Sequence, residues 1–286
     1  MDWFPLALLC ALALASADAF TKRYFPDYRS TELLLVRFAV PALLLVPMTV
    51  LYPLPPVPLA FWGWMVALVP LELLAMLLYV IAIRDSPLHV TLPYLAFTPV
   101  FNVLTGYLIL GEQVSGLGLL GILLVVAGAY LLNLERIGQG WLAPLRAIGR
   151  ERGSRLMLGV ATIYSLTSVM GKAALQLATP ASFGAFYYVV LGACMLVLIL
   201  VRSPGDLRVL TRRPLPLLAV GGFMALMVVT HFLAIAEAEV AYFVAVKRAS
   251  LLFGILYGAL WFGERHLRRN LFAGALMVAG VALILS

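Results

Sequence analysis

Two adjacent cations, Lys247 and Arg248, stand inside the apolar run from Val240 to Glu264. A charged side chain at the centre of a membrane helix costs about 2.5 to 3.5 kcal/mol on insertion scales, so it faces a partner or a water-filled cavity. Lys247 lies seven residues beyond Val240, about 10 Å of helix rise, and its long stem can snorkel outward. Arg248, about 100° further round the helix, shares that escape less easily. Two chemistries fit the pair. One is recognition of a carboxylate or phosphate, with Arg248 supplying the bidentate fork. The other is an internal salt bridge to Glu72, Glu237 or Glu239.

Other polar residues fall at helical spacing within apolar runs. Ser165, Ser168 and Lys172 sit at i, i+3 and i+7, a single face of a helix, with Gln176 four further on. The serines alone point to bonds back to the backbone, but Lys172 has no acid within a turn and is available to an anion. Lys22, in the corresponding place of the first run, has Asp18 one turn before it as a local partner. Glu72, Met76 and Tyr79 share a face at i, i+4 and i+7. Glu72 is the acid lying deep in an apolar run and suits a proton-coupling site, a substrate amine, or a bridge to Lys247 or Arg37. Tyr94, Asn102 and Thr105 lie near Pro93 and Pro99, which interrupt a helical ladder and can free carbonyls at a cavity. His231 is a lone intramembrane histidine, more ordinary as hydrogen-bonded scaffold than as a proton relay. No metalloprotease, nucleophile-elbow or phosphate-loop pattern occurs. Three His and two separated Cys make no metal-ligand set. We therefore expect neither an enzyme nor a cofactor or metal.

The elements that must carry these residues follow from hydropathy. The 286 residues are 64% hydrophobic and 12% charged, with mean hydropathy +1.04, whereas soluble domains carry roughly 25% charged residues. Apolar runs at about 3–20, 33–52, 59–82, 88–110, 114–134, 156–177, 183–201, 214–236, 240–262 and 270–285 predict ten helices of an all-α, multi-pass integral membrane protein. The first run imitates a signal peptide, with Ala15-Ser16-Ala17 as a cleavage-like site. No basic residue precedes it and a counterpart occurs later, so we read it as a helix. Of the 20 Lys and Arg, 16 fall in alternate connections. The positive-inside rule turns these to the cytoplasm and puts both termini outside. The basic balance is thus a topology signal and predicts no nucleic-acid partner.

A shift of 152 superposes the two halves: Phe101 on Phe253, Gly106 on Gly258, Gly111-Glu112 on Gly263-Glu264, Ala127-Gly128 on Ala279-Gly280, and Tyr79 on His231. Residues 1–134 and 156–286 then form two repeats joined by a basic linker, 135–155, in which Trp141, Leu142, Leu145 and Ile148 could form an interfacial helix. Five segments per half is odd, so the second repeat enters the membrane inverted. Inverted repeats are a transporter signature, with a site near the midplane. In the ninth run, Lys247, Leu251, Gly254 and Gly258 share a face, and Gly254 and Gly258, like Gly106, read as helix-packing glycines.

The motif G-x-x-x-L-G-E, present as GYLILGE and, in degenerate form, as GALWFGE, and the late Ala-Gly of LLVVAGAYLL and LMVAGVALIL, resemble the EamA-type transporters of the drug/metabolite transporter superfamily. The resemblance covers the whole chain. It implies ten helices in two inverted five-helix repeats, a central cavity, alternating access, and export of amino acids or other small metabolites. It also implies cytoplasmic termini, opposite to the charge bias.

Together these readings predict a secondary transporter of a small anionic or zwitterionic metabolite. Its expected substrate contacts are Lys172, Lys247, Arg248, Ser165, Ser168, Tyr79, Tyr94, Asn102 and His231. Its expected partners are that substrate, a coupling proton or counter-substrate, and the bilayer of a prokaryotic inner membrane, in a monomer or homodimer. The alternatives are an exporter of hydrophobic cations with Glu72 as coupling site, a lipid-linked anion flippase, and a non-transporting scaffold.

Overall fold

The computed structural model describes residues 3–85, 92–132, 152–262 and 267–286. Most of the expected linker, with its interfacial helix, and Gly263-Glu264 lie outside them. The described chain is helical and without strands: α1 (Trp3–Tyr24), α2 (Ser30–Leu51), α3 (Leu59–Asp85), a 3₁₀ turn (Leu92–Phe97), α4 (Thr98–Leu110), α5 (Gly116–Leu132), α6 (Arg152–Leu175) and α7 (Pro180–Arg202). A 3₁₀ turn (Pro204–Arg208) and a single helical turn (Val209–Arg212) lead to α8 (Pro214–Glu237), α9 (Val240–Lys247), α10 (Ser250–Phe262) and α11 (Leu267–Ile284). Among the described residues seven helical spans are long and apolar enough to cross a membrane, α9 and α10 counting as one, and three shorter apolar helices accompany them. The protein is an integral, multi-pass membrane protein.

Local chemistry sets several helix starts. Ser115 Oγ accepts from Gly118 N at 3.0 Å and caps α5. Thr179 caps α7, with Pro180 in the first turn, where its missing N–H costs nothing. Glu32 accepts from Arg29 N at 2.9 Å at the start of α2.

The single helix expected over Val240–Glu264 is divided. Arg248 N donates to Ala245 O, Ala249 N to Val246 O and Leu251 N to Arg248 O, so the ladder tightens to i→i−3 across Arg248-Ala249. A 3₁₀ step turns about 120° per residue instead of 100°. Over the two or three residues involved, it turns Lys247 by about 40 to 60° relative to Gly254 and Gly258. The first half has the same feature at the same repeat position: α4 and α10 begin at Thr98 and Ser250 and end at Leu110 and Phe262, each pair offset by 152. In the first half Pro99 lies in the opening turn of α4 and its missing N–H explains the boundary. The second half has Leu251 there.

The chain divides into two compact units that interleave the sequence halves. The first comprises Met1–Gly63, Ala174–Glu237 and Leu252–Glu264. In it α2 packs on α7 and α8, and α1 on α8. Gly192 fits against Ala42 and the Phe38 carbonyl, and Gly184 against Phe232. Tyr188 donates to Arg37 O at 2.9 Å, and Asp18 pairs with Arg37 at 2.5 Å. The local partner expected for Lys22 thus serves the neighbouring helix.

The second unit comprises Trp64–Ala173, Ala238–Leu251 and Arg265–Ser286. Its most extensive packing joins α5 to α11. A Cβ on Gly121 would stand 2.6 Å from the Gly280 carbonyl, and one on Gly280 2.5 Å from the Gly121 carbonyl. Seven residues along, a Cβ on Gly128 would stand 2.6 Å from the Ala273 carbonyl. Contacts 121 with 280 and 128 with 273 run in opposite senses, so α5 and α11 are antiparallel. The shift of 152 converts either contact into the other. Gly280→Val is expected to cost about 3 kcal/mol or more, because a backbone oxygen cannot rotate aside. The readout is loss of the monodisperse peak and a lowered melting point in detergent. Gly254→Ala, where a Cβ meets nothing within 4 Å, is expected to melt as the parent does.

Candidate functional site

Nine of the polar candidates, Glu72, Tyr79, Tyr94, Asn102, Ser165, Ser168, Lys172, Lys247 and Arg248, lie in the second unit. The 3₁₀ step places Arg248 where α9 ends. Its Nε is buried with no hydrogen-bond partner among the described residues, and its guanidinium is within electrostatic reach of the Tyr79 and Tyr164 hydroxyls. An unpaired buried donor on a charged group is costly. Asn102, on α4, is 1% exposed, and neither Nδ2 nor Oδ1 has a hydrogen-bond partner among the described residues. Lys247 interacts with the Glu72 carboxylate, which also shares a hydrogen bond with Thr167.

Tyr79 and Tyr164 border an apolar cluster of Ala82, Tyr94, Met157 and Val160. Tyr94 is fully buried within it. Ser165 and Ser168 donate to Thr162 O and Tyr164 O of their own helix at 2.8 and 2.7 Å, leaving their lone pairs for other donors. Thr105 reaches across to Ser165 O at 3.4 Å. Tyr164 and Thr167 were absent from the sequence reading. They form a second stripe at i and i+3, one residue away from the Ser165 and Ser168 stripe that the reading singled out. His231 belongs to the first unit, where its ring meets Phe232 at 4.8 Å.

The acid that pairs with Lys172 comes from a distant part of the sequence. Lys172 Nζ donates to Glu112 Oε1 at 2.6 Å and to the Ala238 carbonyl at 2.7 Å. The other carboxylate oxygen, Oε2, accepts from Val240 N at 2.8 Å, the first residue of α9. Glu112 thus ties α4 to α6 and caps α9. Its negative charge at a helix N-terminus is favourable, and it supplies the cap that the Glu239 side chain does not. Both members are mostly buried, with side chains 10% and 12% exposed.

The sequence profile of the EamA-like transporter family matches residues 2–134 and again 152–286. This chain belongs to the EamA-like transporter family. No curated protein sequence matches it. Among solved structures 27 chains match. One, described only as the crystal structure of a protein, is similar with TM-score 0.75 at 17% identity, over 98% of this chain and 94% of the other. That likeness concerns the fold alone.

In this EamA-like transporter the GYLILGE motif has a mechanical reading. Gly111 takes φ +68° at the end of α4, a left-handed conformation glycine adopts at little cost. The turn lets Glu112 fold back, with its N–H on the Gly106 carbonyl at 3.2 Å. Gly106 leaves room for the carboxylate, since a Cβ there would stand 3.0 Å from Glu112 Oε2. Its small size therefore serves the Glu112 side chain. Gly258 is buried, whereas Gly254 is exposed.

Proposed function

We propose that this EamA-like transporter is a secondary carrier of a small anionic or zwitterionic metabolite, working by alternating access. Seven long and three shorter apolar helices among the described residues are consistent with ten spans, and the antiparallel, repeat-related contacts of α5 with α11 support two inverted five-helix repeats. Residues 1–134 and 156–286 are those repeats in this reading, with 135–155 as linker. Arg248 is the principal anion contact, with the adjacent Lys247 and with Tyr79 within electrostatic reach, and Asn102 is a further candidate contact. The observation that carries the reading is the buried Nε of Arg248, which has no hydrogen-bond partner among the described residues and stands at a step in its helix. Lys172 acts mainly by holding Glu112 and Ala238 in place, and one of its three N–H donors remains for a ligand.

The cation-exporter reading makes Glu72 the essential group. Its interactions with Lys247 and Thr167 favour instead a carboxylate that tempers a cation. Glu72→Gln should therefore leave anion binding intact or tighten it several-fold, because a competing negative charge is removed. Reconstituted vesicles loaded with labelled solutes test this. Transport lost in Glu72→Gln and kept in Arg248→Gln would replace the anion reading with the cation one.

A further inference from the structure

We infer that the basic end of the first unit is a binding surface for the headgroup of an anionic phospholipid. Residues 22–32 and 202–213 carry seven Lys and Arg against three acids, and the fold brings the two segments together. Thr31 donates to Asp206, Arg212 pairs with Glu32 at 3.7 Å, and Arg213 donates to the Tyr24 carbonyl while lying over the Tyr28 ring.

Two of the three acids are consumed by these contacts. The Asp206 and Glu32 side chains are only 9% and 11% exposed, while those of Arg29 and Arg212 are 80% and 55% exposed. The carboxylates therefore look inward and the guanidinium groups outward. Arg202 and Arg208 are exposed as well, and their side chains enter no ion pair among the described residues. A cleft of about 320 Å³ lined by Asp27, Tyr28, Glu32, Arg212 and Arg213 opens at the same end.

The apolar surface beside this end specifies the source of the anion. Val197 and Val201, near the end of α7, are 59% and 78% exposed, and Leu215 and Leu218, at the start of α8, are 79% and 51% exposed. These helices pack on each other, and both carry exposed aliphatic side chains within a few turns of Arg202 and of the turn that carries Arg208. A free phosphate has no use for them. A phospholipid does: acyl chains lie along α7 and α8, and the phosphate meets guanidinium groups at the boundary. The surface belongs to the first unit and is independent of the site around Arg248.

The test is a titration of the purified full-length chain in neutral detergent with phosphatidylglycerol, phosphatidylcholine or inorganic phosphate, read by native mass spectrometry. Phosphatidylglycerol is expected to bind well ahead of phosphatidylcholine, and raised salt should erode the difference. Each arginine near an anionic headgroup is worth roughly fivefold in affinity, so R202Q/R208Q should weaken phosphatidylglycerol about twentyfold. Phosphatidylcholine binding and the melting point should be unmoved. Equal affinity for the two lipids, unchanged phosphatidylglycerol binding in the double variant, or competition by inorganic phosphate at matched concentration would each overturn the proposal.

Discussion

Replacing Arg248 by Gln is expected to reduce substrate binding and transport about a hundredfold without harming the fold. Charge-assisted hydrogen bonds contribute about 1.5 to 3 kcal/mol each, and a bidentate contact makes two of them. Losing roughly 3 kcal/mol corresponds to a factor of about a hundred. The stability side has the opposite sign to most core substitutions. Arg248 Nε is buried with no hydrogen-bond partner among the described residues, and removing a half-buried cation with one unpaired donor relieves a desolvation cost. The ligand-free Arg248→Gln protein should melt at or above the parent temperature. A structural arginine behaves differently: its loss lowers the melting point and leaves affinity alone in whatever protein survives. Lys247→Gln is expected to be milder, since Lys247 already lies within electrostatic reach of Glu72.

The second large effect belongs to the clasp of Glu112 and Lys172. Removing one member leaves the other as a mostly buried, uncompensated charge. Glu112→Gln and Lys172→Met should each cost about 3 to 5 kcal/mol, seen as lowered melting points in detergent. The double variant Glu112→Gln with Lys172→Met should recover part of the loss, because no lone charge remains and the Gln carbonyl can still accept from Val240 N. Exchanging the charges, Glu112→Lys with Lys172→Glu, should recover little. An ammonium would then face the N-terminal N–H of α9 and the positive end of its dipole. Full recovery in the exchanged protein would mean that pairing alone matters and that the cap on α9 does not.

Much of the fold was legible because the membrane simplifies the code. Backbone groups must be satisfied within each span, so apolar runs become helices, and the repeat at 152 survives as matched ends of α4 and α10. The step at Arg248-Ala249 was not legible. Proline marks the equivalent place in the first half, but no proline or glycine stands at the second, and a continuous helix was the natural expectation. The partner of Lys172 was not legible for another reason. Acids within a turn can be read from spacing, but Glu112 is sixty residues away and arrives only through a left-handed turn at Gly111. Its motif was recognisable as architecture while its partner was not. Tyr164 and Thr167 were hidden because they lie one position off the serine stripe that drew attention. Glu72 was placed with Lys247 as one of several options, and the fold adds Thr167 to that pair.

Substrate class is the central claim, and ligand-induced stabilisation tests it most directly. Anything that binds the folded state raises its melting point in proportion to binding free energy. The purified chain and Arg248→Gln would be melted against matched sets of carboxylates, phosphorylated metabolites, amino acids and hydrophobic amines. The prediction is stabilisation of the parent by one or more anionic or zwitterionic compounds, saturating with concentration, and its loss in Arg248→Gln. Stabilisation confined to the amines, or an anion effect that persists undiminished in Arg248→Gln, would contradict it.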